Sequence, residues 1–403
     1  MRQRRTRKPP TSTSRTARRS LRSVLVGLVD HQIPPVEAVR APIRNGVSRP
    51  IPVLAGKRQP VACPSAVHTH DLFRQAHAPQ LRAAAEPPPI QSPRMPKIAD
   101  RKLGTVALTR RILGEVWRHP ANRGHRPAAI ARSLAWQVRK RVAPRRVVRP
   151  IYVTMRYWAD PESGATSNVV YFTERFDPVE MAFLDRFVRS GDHVIDAGAN
   201  AGLYSLFLAT LVGGDGRIDV FEAAPAIASK CRENLALNGL LGTSAHLHEV
   251  AISDRIGELR FRGDRDVSSH VAAPGDRDER AVAVPCATLD SRIPETGRPL
   301  TVAKIDIEGA EAAGLAGFAR RMEAGEPWVL LIEVVDNTLR LQGSSAAELR
   351  SLLDGFGYEV MSFDPAVGAL RPATDGHEFN VVAVARSRRA QVDERLRGSP
   401  SGG

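Results

Sequence analysis

The sequence predicts an α/β fold, a mostly parallel sheet with helices on both faces, and three observations predict it. From about residue 168 onward, short apolar runs alternate with helical stretches, the pattern of a sheet whose crossovers are helices. One run ends at Val194-Ile195 and passes through a glycine turn, Asp196-Ala-Gly198-Ala-Asn200-Ala-Gly202, into a helical segment that begins Leu203-Tyr-Ser-Leu-Phe. A second run ends in an acid, Glu222, 26 residues after Asp196. A strand–turn–helix unit followed by such an acid is how a doubly wound sheet receives a nucleotide-like ligand.

Composition divides the chain before the sheet begins. Residues 1–150 hold 32 Lys and Arg against 6 Asp and Glu, and residues 151–403 hold 26 against 37. The formal charge of +15 therefore conceals +26 on the first part and −11 on the second. Residues 1–94 are expected to be a disordered basic extension. The first hundred positions carry 15 of the 30 prolines and one aromatic, Phe73, too little to build a core. The arginines at its start (Arg2, Arg4, Arg5, Arg7, Arg18, Arg19, Arg22) have the chemistry to hold phosphates, and a solvated tail accounts for them more simply. Met95 opens a more ordinary composition and is a candidate start of the natural protein. Arg18-Arg19 precede an apolar run at 24–29 that is too short, and lacks a small-residue cleavage site, for an export signal. Three scattered cysteines, Cys63, Cys231 and Cys286, argue against a disulfide framework and for a reducing compartment. No stretch approaches the ~18 uninterrupted apolar residues that a membrane span needs.

Residues 95–165 read as a basic helical region. Within 103–142, Ile130, Leu134, Val138 and Val142 recur every fourth residue among Arg132, Arg139, Lys140 and Arg141. Such segments either cap the following domain or lie on an anionic membrane as amphipathic helices.

The main domain spans 166–386. A helix is expected at 178–188, then the glycine-turn strand at 193–197 with its helix, and the strand ending in Glu222. Pro225 suits the first turn of the next helix. Ile227, Cys231, Leu235 and Leu237 give that helix an inward face, and Asn238-Gly239 ends it. Further strands are expected at 246–252, 281–286, 302–307, 329–335, 358–363 and 379–385, with helices at 309–322 and 344–355. The last two strands lack an intervening helix and predict an antiparallel hairpin at the sheet edge. The charged stretch 254–280, with Ser268, Ser269 and His270, reads either as part of an acceptor cleft or as a solvated turn region. Residues 387–403 are expected to be a disordered tail.

The turn chemistry narrows the ligand. Gly198 and Gly202 stand four apart without the middle glycine of a dinucleotide fingerprint. Asp196 would repel a pyrophosphate but suits the amino group and sulfonium of S-adenosylmethionine (SAM). Gly198, Asn200 and Gly202 shape the turn, Glu222 is placed to accept the ribose hydroxyls, and Glu249, after the third strand, is the candidate contact for the adenine. The second sharp motif is Lys304-Ile-Asp306-Ile-Glu308-Gly-Ala-Glu311. Period two along a strand puts Asp306 and Glu308 on one side, where carboxylates raise one another's pKa. Methyl transfer from an activated sulfonium asks the protein for alignment and proton removal. Asp306 is the first candidate for that role and Glu308 the second. Glu311 fits a capping box. Glu333 closes an apolar strand on the same edge and is the candidate acceptor contact. No His accompanies these acids at ligand spacing, so no metal ligand is assigned.

Together, Val194-Ile-Asp-Ala-Gly-Ala-Asn-Ala-Gly-Leu-Tyr-Ser205, Val220-Phe-Glu-Ala-Ala-Pro225, the stretch from Asn234 to Asn238, and Lys304 to Glu311 resemble the FkbM family of SAM-dependent methyltransferases over roughly residues 165–385. The resemblance implies a class I (Rossmann-like) methyltransferase fold, SAM as cofactor and usually O-methylation. It also implies acceptors such as sugar hydroxyls of glycans or glycolipids, or hydroxyls of polyketide natural products. The first hundred residues match nothing in that family. A cytoplasmic enzyme, with contact to the inner membrane surface through 103–142, is the expected setting. The rivals are a nucleic-acid methyltransferase using the basic N-terminal region and a non-catalytic SAM-binding protein. The first is disfavoured because Asp306-Ile-Glu-Gly stands where an Asn/Asp-Pro-Pro-aromatic loop is expected, and because the folded part carries −11. A dinucleotide oxidoreductase lacks its glycine.

Overall fold

The computed structural model describes residues 113–161, 166–173, 175–262, 270–271, 281–373 and 380–398. The expectations for 1–94, for the first basic segment before 113, and for Ser268 and Ser269 lie outside the described residues. After a helical stretch at 113–118 come α1 (Arg126–Val142), the hairpin β1 (Val147–Ile151) and β2 (Met155–Ala159), α2 (Thr166–Phe172) and α3 (Pro178–Phe187). Then follow β3 (His193–Ala197), α4 (Leu203–Val212), β4 (Arg217–Phe221), α5 (Pro225–Leu237), β5 (Ala245–His248), β6 (Ala251–Ile252), β7 (Gly257–Arg262), β8 (His270–Val271), β9 (Val282–Ala287) and α6 (Leu289–Arg292). The chain continues through β10 (Leu300–Ile305), α7 (Glu311–Ala316), α8 (Ala319–Glu323), β11 (Val329–Glu333), α9 (Asp336–Leu341), α10 (Ala346–Gly355), β12 (Tyr358–Asp364), β13 (Ala369–Pro372), β14 (Asn380–Ala385) and α11 (Arg389–Arg397).

Eight strands form one sheet in the order β13-β12-β14-β11-β10-β3-β4-β5. β11, β10, β3, β4 and β5 run parallel, and β14 is antiparallel to both β11 and β12. From β3 the chain moves outward through β4 to β5, then returns to β10 on the other side of β3. The strand order thus reverses between β3 and β10, and ligands of such sheets bind outside the carboxyl ends at that point. Alternate residues of each central strand face opposite cores, so the strands read as continuous apolar runs. Val194, Val220, Val302 and Val384 pack with Phe183, Phe187 and Leu206 on one face. Ile195, Phe221, Ile305 and Ala383 pack with Leu315, Phe318 and Leu349 on the other.

Several expectations change. The run 246–252 is broken into β5, in the main sheet, and β6, in a separate sheet of order β6-β9-β7-β8. β9 therefore does not join the main sheet, and the stretch read as a charged loop after 254 begins with a strand, β7. The helix expected at 309–322 is two short helices, α7 and α8, divided at Gly317 and Phe318. The antiparallel end holds three strands, because β14 is wedged between β11 and β12 and β13 lies outside them. Residues 389–397, expected within a frayed tail, form α11. There Val392 and Leu396 are buried, and Arg395 donates to Asp192 at 2.6 Å. The basic region is not a separate layer: Val116, Ala129, Trp136, Ile151 and Tyr157 belong to the same core as the sheet. On α1 the buried residues are Ala129, Ser133 and Trp136. Trp136 stacks on Tyr171 at 4.3 Å, and Leu134 and Val138 point outward.

One buried polar network ties the parallel strands together. Asp219, in the middle of β4, is fully buried. His193 Nε2 and His248 Nε2 lie 2.7 and 2.9 Å from its oxygens, and Arg217 donates from Nε at 2.8 Å and from Nη2 at 2.7 Å. Burial alone would raise this carboxyl, but the hydrogen bonds from His193, His248 and Arg217 outweigh it and hold it far below the usual carboxylate range. A folded-state value below the unfolded one stabilises the fold above about pH 4, and that stabilisation is lost as pH falls further. Asp219→Ala is expected to cost about 3–5 kcal/mol, since it removes the buried acceptor shared by His193, His248 and Arg217. It should also flatten the acid limb of stability. Urea midpoints measured from neutral to acid pH check this; equal midpoints for both proteins would remove the network from the account.

Candidate active site

The glycine turn sits at the carboxyl end of β3, and its backbone explains its residues. Gly198 has φ +82°, and a Cβ there would lie 1.9 Å from the carbonyl oxygen of Asp306. Glycine is needed both for the conformation and for the approach. The amides of Gly198 and Ala199 donate to Phe221 O at 3.0 and 2.9 Å, fastening the turn to β4. Asn200 (φ 51°) takes a left-handed conformation that Asn tolerates better than most residues. Gly202, with φ 87°, starts α4. Asn234 Nδ2, on α5, donates to Ala201 O at 2.8 Å and completes the clamp.

Two carboxylates back this turn. Asp196 is fully buried. Its Oδ2 accepts from Ser205 Oγ at 2.6 Å, while Oδ1 has no hydrogen-bond partner in the protein. Burial raises its carboxyl, against the pull of Lys304 and Ser205. A buried acceptor left unpaired is costly, and a ligand carrying a positive charge and N–H or O–H donors removes that cost. The orphaned oxygen and the bare Gly198 backbone thus fit SAM. Glu222 follows β4. Its Oε1 accepts from the Ala224 amide at 2.8 Å and its Oε2 from the Asn200 amide at 2.9 Å. Each oxygen keeps a lone pair, enough for two ribose hydroxyls.

Burial pushes the Glu222 carboxyl up to about 6 although the amides of Ala224 and Asn200 oppose it. Hydroxyl donors favour the carboxylate, so SAM affinity is expected to fall as pH drops through about 6. Glu222→Gln should bind more weakly and lose that dependence. Calorimetric titrations at several pH values test it, and an unchanged pH profile in the variant would exclude Glu222 as the titrating group.

Across the switch point, β10 ends at Ile305 and a turn begins. Asp306 N–H donates to Ala197 O at 3.1 Å, so this turn and the glycine turn are stitched together. Lys304 is buried. Its ammonium donates to Asp306 Oδ2 at 3.0 Å and lies 4.7 Å from the centre of the Tyr204 ring. Burial would lower the Lys304 ammonium, but the charges of Asp306, Asp196 and Asp177 raise it instead, so it stays protonated. Tyr204 OH donates to Asp177 Oδ2 at 2.7 Å. Asp177 precedes α3 but makes no capping hydrogen bond there. On the first turn of the same helix, buried Glu180 accepts from Asn380 Nδ2 at 3.1 Å through Oε1, and its Oε2 has no hydrogen-bond partner. Burial, and then the charge of Asp177, push Glu180 up to about 7. A cationic lysine is therefore ringed by Asp196, Asp306 and Asp177, with Glu180 beyond.

The remaining predicted residues fare differently. Because the strand ends at Ile305 and Glu308 has φ 54°, the period-two argument that put Asp306 and Glu308 on one strand face does not apply. Glu311 forms no capping box: the helix N-cap is Ala310. Its Oε1 instead accepts from the amides of Ile307 and Gly309, at 3.0 and 3.1 Å, and grips the turn that follows β10. Burial pushes Glu311 up to about 7. Glu333 ends β11, in register opposite Asn380. Glu249 follows β5 and is ion-paired with Arg232 of α5. Asp177, Glu180, Tyr204 and the role of Lys304 were not legible in the sequence. Asp177-Pro178 with Glu180 looks like an ordinary helix start, and no local signal says that this start faces β10. Among the described residues, no group of three or more His, Cys, Asp or Glu is arranged to hold a metal ion.

A doubly wound sheet with an antiparallel strand beside its last parallel one, a glycine turn backed by Asp196 and Glu222, and no dinucleotide fingerprint define a class I SAM-dependent methyltransferase domain. Residues 196–360 match the family model described as the methyltransferase FkbM domain. By that match, residues 196–360 resemble the FkbM methyltransferase family.

Solved structures similar to the chain include the FkbM methyltransferase of Methylobacillus flagellatus KT, at 14% identity and a TM-score of 0.33. That match covers 54% of this chain and 54% of the other, so the chain spans about half the length of that relative. A SAM-dependent O-methyltransferase of Thermotoga maritima is 17% identical, with 51% of this chain and 64% of that one covered and a TM-score of 0.28. Aeropyrum pernix fibrillarin, solved with natively bound SAM, is 13% identical, with 51% and 73% covered and a TM-score of 0.29. No curated protein matches the chain in sequence.

Proposed function

We propose that the protein is a SAM-dependent O-methyltransferase that modifies a hydroxyl of a sugar, glycan or glycolipid, or of a polyketide-type natural product. The observation that carries this reading is the placement of Asp306. Its backbone lies against Gly198 of the cofactor turn, and its carboxylate is held by Lys304. SAM, when bound, supplies a methyl group on a sulfonium. The chain supplies the rest. Asp196 and Glu222 hold the donor, and Asp306 orients the acceptor hydroxyl and takes its proton as the oxygen attacks. Lys304 holds the Asp306 side chain in place through its hydrogen bond. Asp177, Glu180 and Glu333 add carboxyl groups on the same edge of the sheet, which suits a neutral, hydroxyl-rich acceptor and repels phosphates. That is the argument against a nucleic-acid substrate. We assign the enzyme to the cytosol, where SAM is made.

The test is incubation with methyl-labelled SAM and host extract separated into glycolipid, polysaccharide, nucleic-acid, protein and small-molecule fractions. Label in sugars or small molecules that is stable to mild base, as an ether is, is the expected result. Label confined to nucleic acid would overturn the acceptor reading, and no label in any fraction would favour a non-catalytic SAM-binding protein.

A further inference from the structure

We infer that the outward face of α1 seats on an anionic lipid bilayer. The residues of α1 that are exposed are Pro127, Ala128, Ala131, Leu134, Val138 and Arg141. Five of the six are uncharged and apolar. At ~3.6 residues per turn, 127, 131, 134, 138 and 141 fall on one stripe, and this stripe is opposite the buried side formed by Ala129, Ser133 and Trp136. A helix on the surface of a water-soluble domain normally turns its polar side outward; α1 turns an apolar stripe outward in addition to its buried apolar side. Leu134 is 44% exposed and Val138 is 40% exposed. Its charged residues, Arg126, Arg132, Arg139, Lys140 and Arg141, are all basic.

The charge of the surrounding layer selects the occupant. Residues 113–149 contain ten Lys and Arg and one acid, Glu115. Pairing with a second copy of the same face would bring these cations together, and a nucleic acid would meet Leu134 and Val138 with its phosphates. An anionic bilayer satisfies both features, because acyl chains receive the apolar stripe while headgroups meet the arginines. Trp117, 48% exposed and with the Arg126 guanidinium 5.4 Å from its ring centre, has the character of a residue at a membrane–water boundary. The layer also leads directly to the active site. Asn122 Nδ2 donates to Phe172 O at 2.9 Å, and His119 Nε2 lies 3.5 Å from Phe176 O, next to Asp177. The inference does not depend on which acceptor is methylated.

The experiment uses the full chain with Cys63→Ser and Ala131→Cys, labelled on the new cysteine with an environment-sensitive fluorophore; Cys231 and Cys286 are buried. Vesicles rich in phosphatidylglycerol should shift the label's emission to the blue and carry the protein up a flotation gradient, and pure phosphatidylcholine vesicles should not. Leu134→Asp combined with Val138→Asp should weaken vesicle binding by about tenfold or more, with an unchanged melting temperature because both side chains are exposed. Flotation without an emission shift would mean that another basic segment binds, and would overturn the proposal. So would a shift produced by duplex DNA or by raising the protein concentration without lipid.

Discussion

Gly198→Ala is expected to abolish detectable SAM binding while leaving a folded protein. An alanine at φ +82° costs about 1–2 kcal/mol on conformational grounds. The contact is the larger effect, because a Cβ there meets the Asp306 carbonyl oxygen at 1.9 Å and the neighbour is backbone, not a yielding side chain. The two turns must part. The hydrogen bonds that hold them, from Asp306 N–H to Ala197 O and from Gly198 and Ala199 to Phe221 O, go with them. A displacement of ~1 Å is enough to cost two orders of magnitude in a positioned reaction. Circular dichroism should show the native fold, and equilibrium dialysis with labelled SAM should show the loss. Wild-type affinity in this variant would mean that the turn does not carry the cofactor.

Asp306→Asn is expected to lower turnover by about 10²–10⁴-fold, the usual contribution of a positioned base, with SAM affinity kept. Lys304→Met should behave differently. Lys304 is buried between Asp306, Asp196 and Asp177, and removing it leaves carboxylates without their counter-charge, at a cost of about 3–5 kcal/mol. Asp196 then takes up a proton more readily, so SAM affinity falls along with stability. That contrast is the outcome expected if Asp306 acts on the acceptor and Lys304 holds the site. Full activity in Asp306→Asn would remove Asp306 as the base, and unchanged SAM affinity in Lys304→Met would remove the lysine from the cofactor side.

What was legible in the sequence is what lies close along the chain. Asp196, Gly198, Asn200 and Gly202 form one turn, and Glu222 comes one helix later, so their spacing alone points to SAM. The lysine-centred cluster draws Asp177, Tyr204 and Lys304 from three separate elements, and only the sheet order brings them together. The double role of Gly198 was likewise invisible, because its partner is a carbonyl more than a hundred residues away. The face of α1 was ambiguous for another reason. Period-four apolar residues mark a stripe but do not say which side the protein takes, and here stacking of Trp136 on Tyr171 turned Leu134 and Val138 outward. The density of charged residues over 254–280 hides the short strands β7 and β8 from the hydrophobic pattern.

The central claim is that the turn between β3 and α4 holds SAM against the Asp306 edge of the sheet. The most direct measurement is a calorimetric titration of SAM into wild-type protein, Asp196→Ala and Asp306→Asn. The account predicts saturable binding by wild type and by Asp306→Asn, and none by Asp196→Ala. Equal binding by all three, or no binding by wild type, would contradict it.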